Sequence, residues 1–132
     1  MSTSAIPDAV TAHLTAGATD AEHLRSALAV LDRVLADSSV TAVTPATGDG
    51  RGEKYVRVRG VDATASAAYI YPSGRVELRL DHEDASEYVH LECLRLFDTQ
   101  NSPLRVEVTA TDPVAILVAT ELTRIALAKL GS

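Results

Sequence analysis

The chain has 132 residues, 46% hydrophobic and 23% charged, with 12 basic against 18 acidic side chains and a net charge of −6. That length suits one hydrophobic core, the apolar fraction excludes a disordered chain, and no apolar run approaches the roughly 20 residues of a membrane span. The negative charge weighs against nonspecific attachment to nucleic acid or an anionic membrane.

The first residues, Met1-Ser2-Thr3-Ser4-Ala5, lack the positive charge and apolar stretch of a secretory leader. Cys93 stands alone, so no internal disulfide can form, and the expectation is a soluble cytoplasmic domain. Residues 1–18 read as an N-terminal segment in which Ile6 to Leu14 could form a short helix, with Pro7 in its first turn and Gly17 at its end. From residue 19 a single α+β domain is expected. Thr19-Asp20-Ala21-Glu22 has the form of a capping box, and Leu24, Leu28, Leu31 and Leu35 follow at helical spacing. A helix over about 20–36 is predicted.

The period then changes. Val40 to Val43 reads as a short strand ended by Pro45, and the segment from Thr47 to Gly52, with three glycines, reads as a loop. Lys54 to Arg59 alternates, with Val56 and Val58 on one face and Tyr55, Arg57 and Arg59 on the other. Ala65 to Tyr71 and Arg75 to Asp81 flank Pro72-Ser73-Gly74 and predict a hairpin, with Val76, Leu78 and Leu80 inward and Arg75, Glu77 and Arg79 outward. The acidic stretch His82 to Ser86 reads as a connection. Tyr88 to Phe97 is apolar on both faces of the alternation and reads as a long central strand, with a helix as the alternative. Leu104 to Thr109 alternates again. Thr111-Asp112-Pro113 then opens a last helix to about Leu130, whose main stripe is Val114, Val118, Leu122 and Ile125, flanked by Ala115, Ala119 and Ala126.

Short turns between most strands demand antiparallel pairing, and only the helices at the two ends can cover a one-sided sheet. The predicted fold is α+β: a single antiparallel sheet of about four to six strands with N-terminal and C-terminal helices packed on one face. Six of the ten arginines (Arg57, Arg59, Arg75, Arg79, Arg95 and Arg105) then fall at outward strand positions. Their planar forks suit phosphate or carboxylate groups, and Tyr55, Tyr69 and Tyr71 could line a pocket or stitch strands together. Glu77, Glu92 and Glu107 could instead pair with these arginines across a solvated face.

Other constellations are weaker. Residues 51–59 hold four basic groups, Arg51 among them, to one acidic, yet the glycine loop before them lacks the Gly-Lys-Ser/Thr ending of a phosphate loop. Asp81, His82, Glu83, Asp84, Glu87, His90 and Glu92 crowd together but match no zinc spacing. Asp62 or Asp81 with Glu77 and Arg79 would be a nuclease-like set that any alternating charged strand offers. Cys93 reads as a small buried hydrophobe.

No catalytic residue, metal ligand or cofactor emerges. The expectation is a non-enzymatic binding or regulatory module that self-associates, because Ile116, Leu117 and Leu127 lie off the main apolar stripe of the last helix. Its binding residues would be Arg57, Arg59, Arg75, Arg79, Tyr55 and Tyr69. Its partner would be a second copy, another protein or a small anionic ligand, with nucleic acid less favoured and no membrane. The alternative is a small enzyme or small-molecule binder with an Arg/Tyr-lined pocket, which requires Arg57, Arg59, Arg75 and Tyr69 to converge on one concavity.

Overall fold

The computed structural model describes residues 6–36, 40–48, 53–60, 63–98 and 103–131. Helices α1 (Asp8–Gly17) and α2 (Ala21–Leu35) precede strands β1 (Val40–Thr47), β2 (Lys54–Gly60), β3 (Ser66–Ile70) and β4 (Arg75–Leu78). A 3-10 helix (His82–Tyr88) leads to β5 (Leu94–Leu96) and β6 (Val106–Thr109), and α3 (Pro113–Gly131) follows. The strands form one six-stranded sheet in the order β1-β2-β3-β4-β6-β5, antiparallel throughout. This is the predicted α+β arrangement.

The helices start where their sequences supply acceptors for free amides. Asp20, not Thr19, caps α2, accepting a 3.0 Å bond from the His23 amide. Asp112 does the same for α3, taking the Ala115 amide at 2.9 Å with Pro113 next in line. The hairpin between β3 and β4 closes through Tyr71 N–H to the Arg75 carbonyl at 2.9 Å, and Gly74 adopts a positive φ of 89°. A Cβ on Gly74 would stand 2.9 Å from the Ala110 carbonyl oxygen, so both the backbone angle and the close approach of the chain after β6 require glycine.

One face of the sheet is apolar. Val56 and Val58 of β2, Ala68 and Ile70 of β3, Val76 and Leu78 of β4, and Val106 and Val108 of β6 are all fully buried. Helix α1 packs on β1 and β2, α3 crosses β2, β3, β4 and β6, and α2 packs on α3 and α1. Among the described residues no helix is long and apolar enough to cross a membrane.

Several expectations need correction. Strand β1 does not end at Pro45 but runs through it to Thr47; β1 is an edge strand, where a missing N–H on the open side costs no ladder bond. The reading of Tyr88 to Phe97 as a long central strand fails. A reciprocal Asp81/Asp84 capping box starts a 3-10 helix, and turn bonds from Leu91 N–H to Tyr88 and from Leu94 N–H to Leu91 continue the winding. Only three residues remain for β5, an edge strand, because the chain must step past the position of β6 before turning back. Of the stripe assigned to α3, Val118 and Leu122 are buried and Ile125 packs on the core, and only Val114 fails. Val114 is 58% exposed, whereas the flanking Ala115, Ala119 and Ala126 of this helix are buried. Lys129 near its end reaches Asp84 at 2.7 Å and Asp81 at 3.1 Å, and the Lys129 bond holds the Asp84 carboxyl below its ordinary pKa.

Candidate functional site: the open face of the sheet

Alternation along the strands and their register together place the outward side chains. Thr44 lies opposite Arg57, Arg57 opposite Tyr69, Tyr69 opposite Glu77, Glu77 opposite Glu107, and Glu107 opposite Arg95. One row therefore crosses all six strands on the side away from the helices, with arginines towards both ends and two carboxylates near the middle. Tyr55, Arg59, Tyr71, Arg75 and Arg79 flank it.

The aromatic side chains form its floor. The Tyr55 ring lies 5.0 Å from Tyr69 and 5.2 Å from Tyr71, and Tyr55 and Tyr71 are each only 8% exposed although no helix covers this face. Arg57 stands 6.0 Å and 5.8 Å from the Tyr55 and Tyr69 ring centres, and Arg75 lies 3.9 Å above the Tyr71 ring. Hydrogen bonding to the Tyr55 phenol, and then its charge interaction, raise the pKa of the Arg57 guanidinium, a group that is cationic in any case.

Carboxylates tie down the centre. Arg75 donates to Glu53 at 2.8 Å, and its Nε lies 3.9 Å from Glu107, whose other oxygen is 4.0 Å from Arg95. Tyr71 donates its hydroxyl to Glu77 at 2.7 Å; burial, then this bond, pushes the tyrosine pKa far up. Glu107 is 7% exposed, and burial raises its pKa despite the pull of Arg75 and Arg95, with Glu77 adding a like charge directly opposite.

A raised folded-state pKa means that the protonated carboxyl is the form folding prefers. That contribution is complete below the ordinary glutamate value and is lost as pH rises through the folded value. The charged Glu107 therefore costs stability at neutral pH. Glu107→Gln is expected to be at least as stable as the parent at pH 7, with its advantage shrinking on acidification towards about pH 4. Urea unfolding of both proteins across that range checks this, and a less stable variant at pH 7 contradicts it.

The remaining predicted residues are anchored separately. Arg79 donates through Nε to the Ser66 carbonyl at 2.9 Å, and Arg105 lies 3.9 Å from Asp81. Arg57 and Arg59 line a concavity of about 340 Å³ with Thr44, Thr64 and Ser66. Arg79 and Arg105 line another, of about 400 Å³, with Asp81, Pro103 and Lys129. Arg75 and Tyr69 line neither of these. The convergence that a single Arg/Tyr pocket requires is absent among the described concavities. The hydroxyls of Thr44, Thr64 and Ser66 carried no signal in the sequence, since only strand register brings them beside the arginines.

The other constellations are occupied structurally. Asp81 and Asp84 serve the 3-10 helix and Lys129, His82 Nε2 bonds the Phe97 carbonyl at 2.7 Å, and no three potential metal ligands gather among the described residues. Cys93 is half-buried, and burial followed by the Asp112 charge raises its pKa, which disfavours the thiolate. Arg51 and Asp62 lie outside the described residues. Of the three residues read as off-stripe on α3, Leu127 is buried and Ile116 is packed on the core, while Leu117 stays 53% exposed.

What the fold and this face define is an α+β chain with one side of its sheet left uncovered by helices. No protein-family model matches the chain, and no curated protein or solved structure is detectably similar to it.

Proposed function

We propose that the chain is a non-enzymatic binding module whose open sheet face docks an acidic segment of a partner protein. The observation that carries this reading is the placement of Arg57, Arg59, Arg75 and Arg95 on one face of a chain whose net charge is −6. Arginine and tyrosine are the side chains that interfaces favour, because each joins a large flat body to fixed polar groups. Arg57 and Arg75 are already held against tyrosine rings, and Arg75 by ion pairs too, so they have less side-chain entropy to lose on docking.

Charge pattern selects the kind of partner. A nucleic acid presents uniform negative charge and would meet Glu77 and Glu107 in the middle of the row. A polypeptide can place carboxylates over Arg57 and Arg95 and a neutral or basic residue between them. The separate, shallow concavities also suit a protein surface better than one enclosed small molecule.

The reading predicts that a Glu-rich synthetic peptide binds, with affinity falling as salt rises, and that Arg57→Glu combined with Arg95→Glu weakens binding by at least tenfold, about 1.4 kcal/mol. Fluorescence anisotropy with a labelled peptide measures both. Equal affinity for the double variant, or binding of duplex DNA in preference to the peptide, overturns the proposal.

A further inference from the structure

The carboxylates on the open face are not evenly spread. Arg75 meets Glu53 and Glu107, Arg95 meets Glu107, and Arg105 meets Asp81. At the β1–β3 end no described carboxylate lies within ion-pair distance of Arg57 or Arg59. Their neighbours are hydroxyls instead: Thr44 opposite Arg57, Ser66 opposite Arg59, and Thr64 beside them in the same concavity. Two residues apart on one strand, the arginines stand about 7 Å from each other along the backbone, on the same side.

We propose that this concavity binds a phosphate monoester group. Guanidinium groups only donate, and hydroxyls donate readily, so this end of the face is a set of donors and positive charge with no anionic acceptor among the described residues. A carboxylate has two oxygens to offer such a set. A phosphate monoester offers three terminal oxygens and close to two negative charges, and arginine forks match it in bidentate geometry. Tyr55 and Tyr69 hold Arg57 in place from below, so one fork is oriented before the anion arrives. The space, about 340 Å³, admits the phosphoryl group together with the residue that carries it.

This deepens the partner-binding reading, on which it rests for one source of the group: a phosphorylated serine or threonine of the partner. Free phosphate is the other source, and the two are separable. The full chain is titrated with inorganic phosphate, with a phosphothreonine peptide, with the same peptide unphosphorylated and with acetate, all at fixed ionic strength, while backbone amide shifts are followed by NMR. Saturable shifts at Thr44, Arg57, Arg59, Thr64 and Ser66 are expected with phosphate and with the phosphopeptide, and at least tenfold weaker ones with acetate. Tighter binding of the phosphopeptide than of phosphate identifies the partner as the source, and the reverse order identifies the free ion. Arg57→Gln with Arg59→Gln should weaken both by at least tenfold while amide dispersion elsewhere stays intact; Arg59→Gln alone, which leaves the tyrosine stack untouched, should show a smaller loss in the same direction. No saturation with either phosphate source, or equal affinity in the double variant, overturns the site. A Glu-rich peptide that still binds in that case leaves the partner reading standing. Phosphate saturation without Glu-rich peptide binding removes the partner reading and keeps the site.

Discussion

Leu122→Ala is expected to lower stability by about 2–5 kcal/mol, the range for a buried leucine whose surroundings cannot close on the space left behind. Leu122 is fully buried in α3, and its neighbours Ala115, Ala119 and Ala126 on that helix are buried as well. Alanines let the helix lie close across β2, β3, β4 and β6, and Leu122 is the bulkiest fully buried side chain among them, so its loss leaves a space in a close-packed seat. The sheet residues beneath are fixed by pairing on both sides and cannot rise into the gap. Urea unfolding should show a lower midpoint with an unchanged slope. A loss below about 1 kcal/mol would mean that α3 is not seated on the sheet as described.

Tyr55→Ala is the second large effect, expected at about 3 kcal/mol even though Tyr55 belongs to the face without helices. The ring is 8% exposed and touches Tyr69, Tyr71 and Arg57, so its removal takes away two aromatic pairs and the support of one guanidinium. Each such pair is worth about 0.5–1.5 kcal/mol beyond the area it buries. Tyr55→Phe keeps the ring and should stay within about 1 kcal/mol of the parent, losing only the hydroxyl contact to Arg57. Thermal unfolding of the two variants separates packing from the hydroxyl. If Tyr55→Ala proves as stable as Tyr55→Phe, the aromatic floor contributes nothing, and the arginines above it are ordinary solvated side chains.

Much of this architecture was legible because period two is a local property. Tyr55, Arg57 and Arg59 alternate with Val56 and Val58 within one strand, and Pro72-Ser73-Gly74 marks the turn after the next, so the arginine-bearing face could be read without knowing which strands are neighbours. Strand order could not. That Glu107 stands between Glu77 and Arg95 follows from β6 inserting between β4 and β5, a long-range pairing with no local signature. The Tyr88–Phe97 segment misled for the same reason: its apolar residues satisfy alternation, but the connection had to cross one strand position, and the Asp81/Asp84 box wound it instead. On α3 the stripe and its flanking alanines were both legible, and Val118, Leu122, Ala115, Ala119 and Ala126 are all buried; only Val114, in the first turn, stands out in solvent. The hydroxyls beside Arg57 and Arg59 come from two separate stretches of chain, Thr44 of β1 and Thr64 and Ser66 at the start of β3, and became visible only in register.

The most direct test of the account is to map where an acidic peptide lands. Amide shift changes during titration should centre on Arg57, Tyr69, Glu77, Glu107 and Arg95, the row that crosses the sheet, and fade towards the helices. Changes centred instead on Arg33, Leu117, Glu121 and Arg124, which line a concavity of about 370 Å³ on the helical side, would place recognition on the opposite layer and contradict it.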